Sequence, residues 1–98
     1  MKSDSGLTFE WDDRKARINR EKHKVEFAEA ITVFAGQFTR YFADPDHSAD
    51  ENRFLALGYS HPNRLLVVSY TERGEVIRII SARRATAHER HFYEDGPN

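Results

Sequence analysis

The stretch "RLLVVSYT", Arg64 to Thr71, constrains the fold more than any other part of the chain. It is apolar on both of its alternating faces, so a strand made from it needs cover on both sides and belongs at the centre of a sheet. The turn sequences "HPN" before it and "ERGE" after it are short, and short connections make antiparallel neighbours. The strand before is "RFLALGYS", where Leu55, Leu57 and Tyr59 oppose Phe54, Ala56 and Gly58; the strand after is "EVIRIISA". "FTRYFAD" supplies a further strand, separated from these by the polar loop "PDHSADE".

Upstream of Gly36 the hydrophobic period is helical. "LTFEWD" is a short alternating strand, and Asp12 then caps a helix over "DRKARINREKH", acidic at its start and basic at its end as the helix dipole favours. Its apolar content is thin: Ala16 and Ile18 anchor it, with help from Trp11. In "VEFAEAITVFAG", Phe27, Ala30, Ile31 and Phe34 fall at i, i+3, i+4 and i+7, a buried stripe that Gly36 can stop. The tail "TAHERHFYED" opens with Thr86 and Glu89 at capping-box spacing and reads as a final short helix. The order β-α-α-β-β-β-β-α predicts an α+β fold. It is an antiparallel β-sheet with two N-terminal helices packed on one face, a short C-terminal helix, and its other face only partly covered. A chain of 98 residues makes one domain, 1–98, with one modest core, and residues 1–6 are read as disordered.

Hydrophobic residues at 39% and aromatics at 12% are too many for a disordered chain. Absence of cysteine rules out disulfides and thiolate metal sites and suits a reducing compartment, which makes the cytoplasm the expected location. The N-terminus lacks the apolar core of a signal peptide. No apolar run approaches the roughly 18 to 20 residues of a membrane span. The net charge of −1 conceals an uneven distribution. Residues 14–24 hold six Lys/Arg against one Glu, residues 25–52 six Asp/Glu against one Arg, and residues 53–91 seven Arg against three Glu. If the fold joins the two basic blocks, the molecule has a cationic face suited to phosphate; otherwise these are solvated faces of helices and strand edges.

Within "VIRIISA", strict alternation sends Val76, Arg78, Ile80 and Ala82 to one side and Ile77, Ile79 and Ser81 to the other. The apolar pair Ile77 and Ile79 suits the helix-covered side, which leaves Arg78 on the open face beside Tyr70 or Ser69. A buried, unpaired guanidinium costs several kcal/mol, so Arg78 either meets an acid such as Glu51 or lines a wet concavity. Arg84, His88 and His91 share a helix face if helical geometry begins at Arg84, and an imidazole among arginines suits proton transfer at a phosphodiester. The plainer reading is an exposed polar helix face. His88 and His91, with His47 near Asp44 and Asp46, are too poorly spaced to be read as a metal site. Lys22 and His23, at the basic end of the first helix, suit a phosphate contact and a proton carrier, or simply complement the helix dipole.

Several segments resemble the BrnT toxins of bacterial type II toxin–antitoxin systems: "FEWDDRKARINREKHKVEFAEAITVF", "DENRFLALGYS", "RLLVVSYTERGEVIRIISARRAT" and "ERHFYE". The likeness runs from Phe9 to about Glu94. It is most specific in F-x-W-D, in N-x-x-K-H (Asn19, Lys22, His23), in E-x-R (Glu51, Arg53), in Y-T-x-R-G (Tyr70 to Gly74) and in R-I-I-S-A-R (Arg78 to Arg83). The resemblance implies a RelE-like ribonuclease that is toxic through RNA cleavage. It also implies neutralisation by a BrnA-like antitoxin in a hetero-oligomer, with operator DNA reached only through that partner. Where the family usually has Gly after Lys-His, this chain has Lys24. A lysine in the left-handed conformation such a Gly would adopt costs about 1 kcal/mol.

Metal-independent RNA cleavage needs a base for the 2′-OH proton, an acid for the 5′-oxygen, and cations for the charge that grows on the phosphoryl oxygens. On this reading Arg78 and Arg83 stabilise the transition state, and Lys22, Arg53, Arg73 and Arg84 bind phosphate. His23 or His88 carries the proton, Tyr70 stacks on a base or orients the phosphate, and Glu51 is a base or the partner of an arginine. Neither a cofactor nor a metal is expected. The competing class is a non-catalytic module whose basic face only docks nucleic acid or an acidic partner.

Overall fold

The structure, a computed structural model, describes residues 6–46 and 52–96. Apart from Gly6, the expected disorder of residues 1–6 lies outside the described residues, as do His47 and Glu51. The elements in order are β1 (Thr8–Glu10), α1 (Asp13–His23), α2 (Phe27–Ala30), a 3-10 segment (Ile31–Ala35), β2 (Arg40–Ala43), β3 (Arg53–Tyr59), β4 (Leu65–Arg73), β5 (Val76–Arg84) and α3 (Ala87–Asp95). They form a five-stranded sheet in the order β1-β5-β4-β3-β2, with the doubly apolar β4 at its centre.

The sheet is mixed, not wholly antiparallel. β2, β3, β4 and β5 form an antiparallel meander, whereas β1 pairs in parallel with β5 through Thr8↔Val76, Phe9↔Ile77 and Glu10↔Arg78. Turn length dictates direction only between consecutive strands, and β1 is separated from β5 by about two-thirds of the chain. β1 covers the outer edge of β5 only as far as Arg78. Further along that edge the Asn19 carboxamide takes the place of a strand: its Nδ2 donates to the Ala82 carbonyl (2.8 Å) and its Oδ1 accepts from the Ala82 N–H (3.0 Å). The same Nδ2 donates to the Val25 carbonyl (3.0 Å), which fixes the loop that leaves α1.

Local chemistry accounts for the helices. Asp12 caps α1 by accepting from Lys15 N–H (3.0 Å), and Lys24 ends it at φ 60°, with its own N–H donating to the Arg20 carbonyl. Lysine therefore occupies a left-handed cap that glycine adopts without cost. Lys24→Gly is expected to raise unfolding free energy by about 1 kcal/mol, read as a higher denaturant midpoint at unchanged m-value. The second helix is shorter than its apolar stripe predicts, because after Ala30 it tightens into the 3-10 segment. The run Ile31-Thr32-Val33 is β-branched, and Thr32 Oγ1 donates back to the Glu29 carbonyl (2.6 Å), which competes with regular helical bonding. In α3, Thr86 and Glu89 form the capping box that their spacing predicts.

Two apolar clusters sandwich the sheet. On one side Val25, Phe27, Ala30, Val33 and Phe34 pack with Phe9, Leu66, Val68, Tyr70, Ile77, Ile79 and Ala82, and Ala16 of α1 joins them. On the other side Leu57, Leu65 and Val67 are covered by Phe92 and Tyr93 of α3. Because α3 spans only part of that second face, a stretch of sheet beside its N-terminus stays open.

Candidate active site

A β-bulge organises the open face. Between β4 and β5 the register runs Val67↔Arg83, Val68↔Ala82, Ser69↔Ser81, then slips to Tyr70↔Ile79 and Thr71↔Arg78, which leaves Ile80 as the extra residue. Strict alternation would put Arg78 and Arg83 on opposite faces, since five positions separate them. The bulge corrects that expectation: Ile77, Ile79 and Ala82 all face the helices, and Arg78, Ser81 and Arg83 all face the open side. Across the sheet this makes a row Arg53–Thr71–Arg78–Glu10, a second row Leu55–Ser69–Ser81, and a third Leu57–Val67–Arg83. A concavity of about 390 Å³ lies over the Arg53 end of the first row, the second row, and Val67 and Arg83 of the third, with Asp44, Asp46 and Glu89 as its acidic boundary; Arg78 is not among its lining residues.

Both site arginines are held by carboxylates. Arg83 Nη1 and Nη2 donate to the two oxygens of Glu89, each at 2.8 Å, and Nη1 also donates to the Arg84 carbonyl (3.3 Å). A guanidinium has five N–H donors. The two without a partner among the described residues, Nε–H and one Nη2–H, lie together on the other edge of the plane, a fork matched to two phosphate oxygens. Glu89 is anchored in turn, since Oε1 accepts from the Thr86 N–H (2.8 Å). The Arg83 guanidinium, aided by the Thr86 backbone, holds the Glu89 carboxyl down at about 2 against the opposing pull of burial. Arg78 Nη1 donates to Glu10 Oε2 at 2.7 Å, so the acid it meets comes from β1. Between Arg53 and Arg78, Thr71 is buried and its Oγ1 has no hydrogen-bond partner among the described residues. Thr71→Val keeps the shape and removes an unsatisfied hydroxyl. It is expected to stabilise the fold by about 1 kcal/mol in thermal or denaturant unfolding.

The comparisons with known proteins decide the family. The model of the family described as "Ribonuclease toxin, BrnT, of type II toxin-antitoxin system" matches residues 11–89. The chain belongs to the BrnT family. A crystal structure of the Brucella abortus ribonuclease toxin BrnT shares its fold, with a TM-score of 0.65 at 22% identity, over 82% of this chain and 97% of that one. No curated protein matches the chain in sequence. As a BrnT protein it is a ribonuclease toxin of a type II toxin–antitoxin system, and an antitoxin is its partner. None of the described helices is long and apolar enough to cross a membrane.

Within this BrnT fold the residues singled out in the sequence separate into two groups. Arg53, Arg78 and Arg83 share the open face, and Arg73 stands exposed on the same side at the hairpin end of β4. His88 is exposed in the first turn of α3, next to Glu89. Lys22 and His23 lie on α1, which packs against the helix-side cluster across the sheet. Arg84 also turns to the helix side, opposite Leu66, and it belongs to β5, so it shares no helix face with His88 and His91. The two basic blocks meet on the helix side, where Arg64 Nη2 donates to the Lys24 carbonyl (3.1 Å), while the arginines of the open face come from the second block alone. Tyr70 is buried on the helix side, with its phenol pushed up to about 12 by burial and by Glu72. It neither faces the concavity nor gives up its proton near neutral pH. Glu51 is outside the described residues. Among the described residues, no three His, Cys, Asp or Glu side chains gather as a metal-holding group. Glu89 and Ser81 escaped the sequence reading, because a cap already explains Glu89 and Ser81 gains meaning only from the bulged register; Ser69, expected beside Arg78, lies opposite Ser81, and Thr71 takes the place beside Arg78.

Proposed function

We propose that this toxin cleaves RNA internally, without a metal ion, on the open face of its sheet, with Arg83 and Arg78 stabilising the phosphoryl charge. The observation that carries this reading is the Arg83 guanidinium, held edge-on by Glu89 with a second donor fork left over. Such a group is oriented before substrate arrives and loses little entropy on binding. In the step proposed, a base removes the 2′-OH proton and that oxygen attacks the adjacent phosphorus. The bond to the 5′-oxygen breaks and this oxygen takes up a proton, so the products carry a 2′,3′-cyclic phosphate and a 5′-hydroxyl. Arg53 and Arg73 bind flanking phosphates. His88 is preferred to His23 as proton carrier because α1 packs on the opposite side; Glu51 is the second candidate base. Lys22 and Arg84, across the sheet, are peripheral phosphate contacts, and Tyr70 is left out of the site.

In the same reading, supported by the motifs between Phe9 and Glu94, the fold is RelE-like and the antitoxin is BrnA-like. That antitoxin holds the toxin in a hetero-oligomer and makes the pair's contact with operator DNA, in the bacterial cytoplasm.

The test is cleavage of RNA by purified toxin in excess chelator, with analysis of the new ends, alongside growth after induction. Wild type is expected to arrest growth and to yield cyclic-phosphate ends. Arg78→Ala is expected to restore growth while the protein stays folded. Toxicity that survives both Arg78→Ala and Arg83→Ala would overturn the site. Salt-dependent RNA binding with no products at any pH would favour a binding module instead.

A further inference from the structure

The outer edge of β2 is unlike the rest of the surface. β2 is a terminal strand of the sheet, paired only with β3. Asp44 N–H donates inward to the Arg53 carbonyl (2.9 Å), so by the alternation of an antiparallel ladder Phe42 and Arg40 also bond inward. The N–H and C=O groups of Tyr41 and Ala43 therefore point outward, with no strand beside them among the described residues. Exposed edges are usually guarded by lysine, proline or a bulge. This one carries Phe38, Tyr41 and Phe42 at 74%, 51% and 37% exposure, three of the four large apolar side chains exposed among the described residues. The side chains of Tyr41 and Ala43 border a hollow of about 420 Å³ on the helix side, floored by Phe34, Phe54, Tyr70 and Ile77 and edged by Glu72.

We propose that this edge and hollow take an extended segment of the antitoxin, added as a sixth strand beside β2, with apolar residues and at least one Lys or Arg facing the hollow. The inference rests on the toxin reading. The charge of the surroundings selects the occupant. β2 borders a hollow whose one charged lining residue among the described residues is Glu72. The arginine of β2, Arg40, lies over the rings of Phe92 and Tyr93 (5.8 and 5.9 Å), turned to the opposite face. An incoming Lys or Arg lays its methylene stem along Phe54 and Ile77 and brings its charge to Glu72. The hollow lies on the helix side and its charge, Glu72, repels phosphate, so this surface is separate from the site on the open face. Paired backbone supplies affinity here, and alternate side chains over the hollow supply specificity.

The test uses the full-length toxin and its cognate antitoxin, with Ala43→Pro, which removes an outward N–H, and Glu72→Lys, which reverses the charge at the hollow. Both sites lie at the surface, and unchanged circular dichroism and thermal midpoints establish that the variants fold. Each variant is expected to cleave RNA within twofold of wild type, yet to bind the antitoxin at least tenfold more weakly and to escape neutralisation on coexpression. Unchanged antitoxin affinity in both variants would overturn the proposal. So would a loss of RNA affinity in place of antitoxin affinity, or a concentration-dependent dimer of toxin alone that Ala43→Pro abolishes. Antitoxin affinity is measured directly, so a toxin without cleavage activity would refute the ribonuclease mechanism and leave this interface test intact.

Discussion

Arg83→Ala is expected to lower RNA cleavage by about 10²- to 10³-fold, the scale on which a lost oriented donor acts at a charged transition state. The fold should survive, because Glu89 still accepts from the Thr86 N–H and still caps α3. Arg83→Lys should recover only part of the loss, since an ammonium offers charge without a fork. Glu89→Gln tests the orientation separately. It keeps the size of the side chain and the cap but weakens the charge-assisted hold on Arg83, so kcat is expected to fall further than substrate affinity. The pH dependence follows from the direction of the Glu89 shift. Its folded value, about 2, lies below the ordinary glutamate value of 4.5, so the ion pair's contribution is fully present above about pH 4.5 and fades as pH falls toward 2. The latch is thus intact throughout the neutral range. An activity limb near pH 6 to 7 must come from another group, and its loss in His88→Ala would identify the imidazole as that group.

The gap between sequence and structure is clearest in β5. Its existence was legible, because Val76 to Ala82 is strongly apolar and follows a turn that places Gly74 at φ 61°. Its face assignment was legible only as far as Ile79. Ile79 and Ile80 are both apolar, so the pattern has the same appearance whichever of the two is the extra residue, and the slip leaves no mark in hydropathy. The one hint was chemical: an odd separation between two arginines that a single polar face would both want. β1 was legible as a strand but not in its direction, since its partner is chosen by packing of Phe9 against Phe34 and Ile77, not by a turn. The capping box at Thr86 was legible outright, and that success hid the second role of Glu89. A residue with one sufficient local explanation gives no reason to look for a distant partner, and Arg83 is six positions away.

Asn19 carries the largest expected effect on stability. The N-x-x-K-H segment drew attention through Lys22 and His23, yet the residue in it that the fold depends on is the asparagine. At 5% exposure its carboxamide makes three hydrogen bonds, to the Val25 carbonyl and to both polar groups of Ala82. β1 stops opposite Arg78, so without Asn19 the Ala82 N–H and C=O would face an apolar environment with no partner. Asn19→Leu fills the volume but supplies neither donor nor acceptor. The expected cost is about 3 kcal/mol, from three lost bonds and buried groups left unsatisfied. In a domain of this size that lowers the thermal midpoint by more than about 10 °C. Asn19→Asp discriminates between space filling and hydrogen bonding. A carboxylate can still accept from the Ala82 N–H, but it opposes the Val25 and Ala82 carbonyls with lone pairs in place of the donor. It is therefore expected to destabilise at least as much as leucine, although it is nearly the same shape. If Asn19→Asp unfolds at the wild-type midpoint, the amide is not acting as a substitute strand, and the attachment of α1 to β5 must rest on Ala16 and the apolar contacts around it.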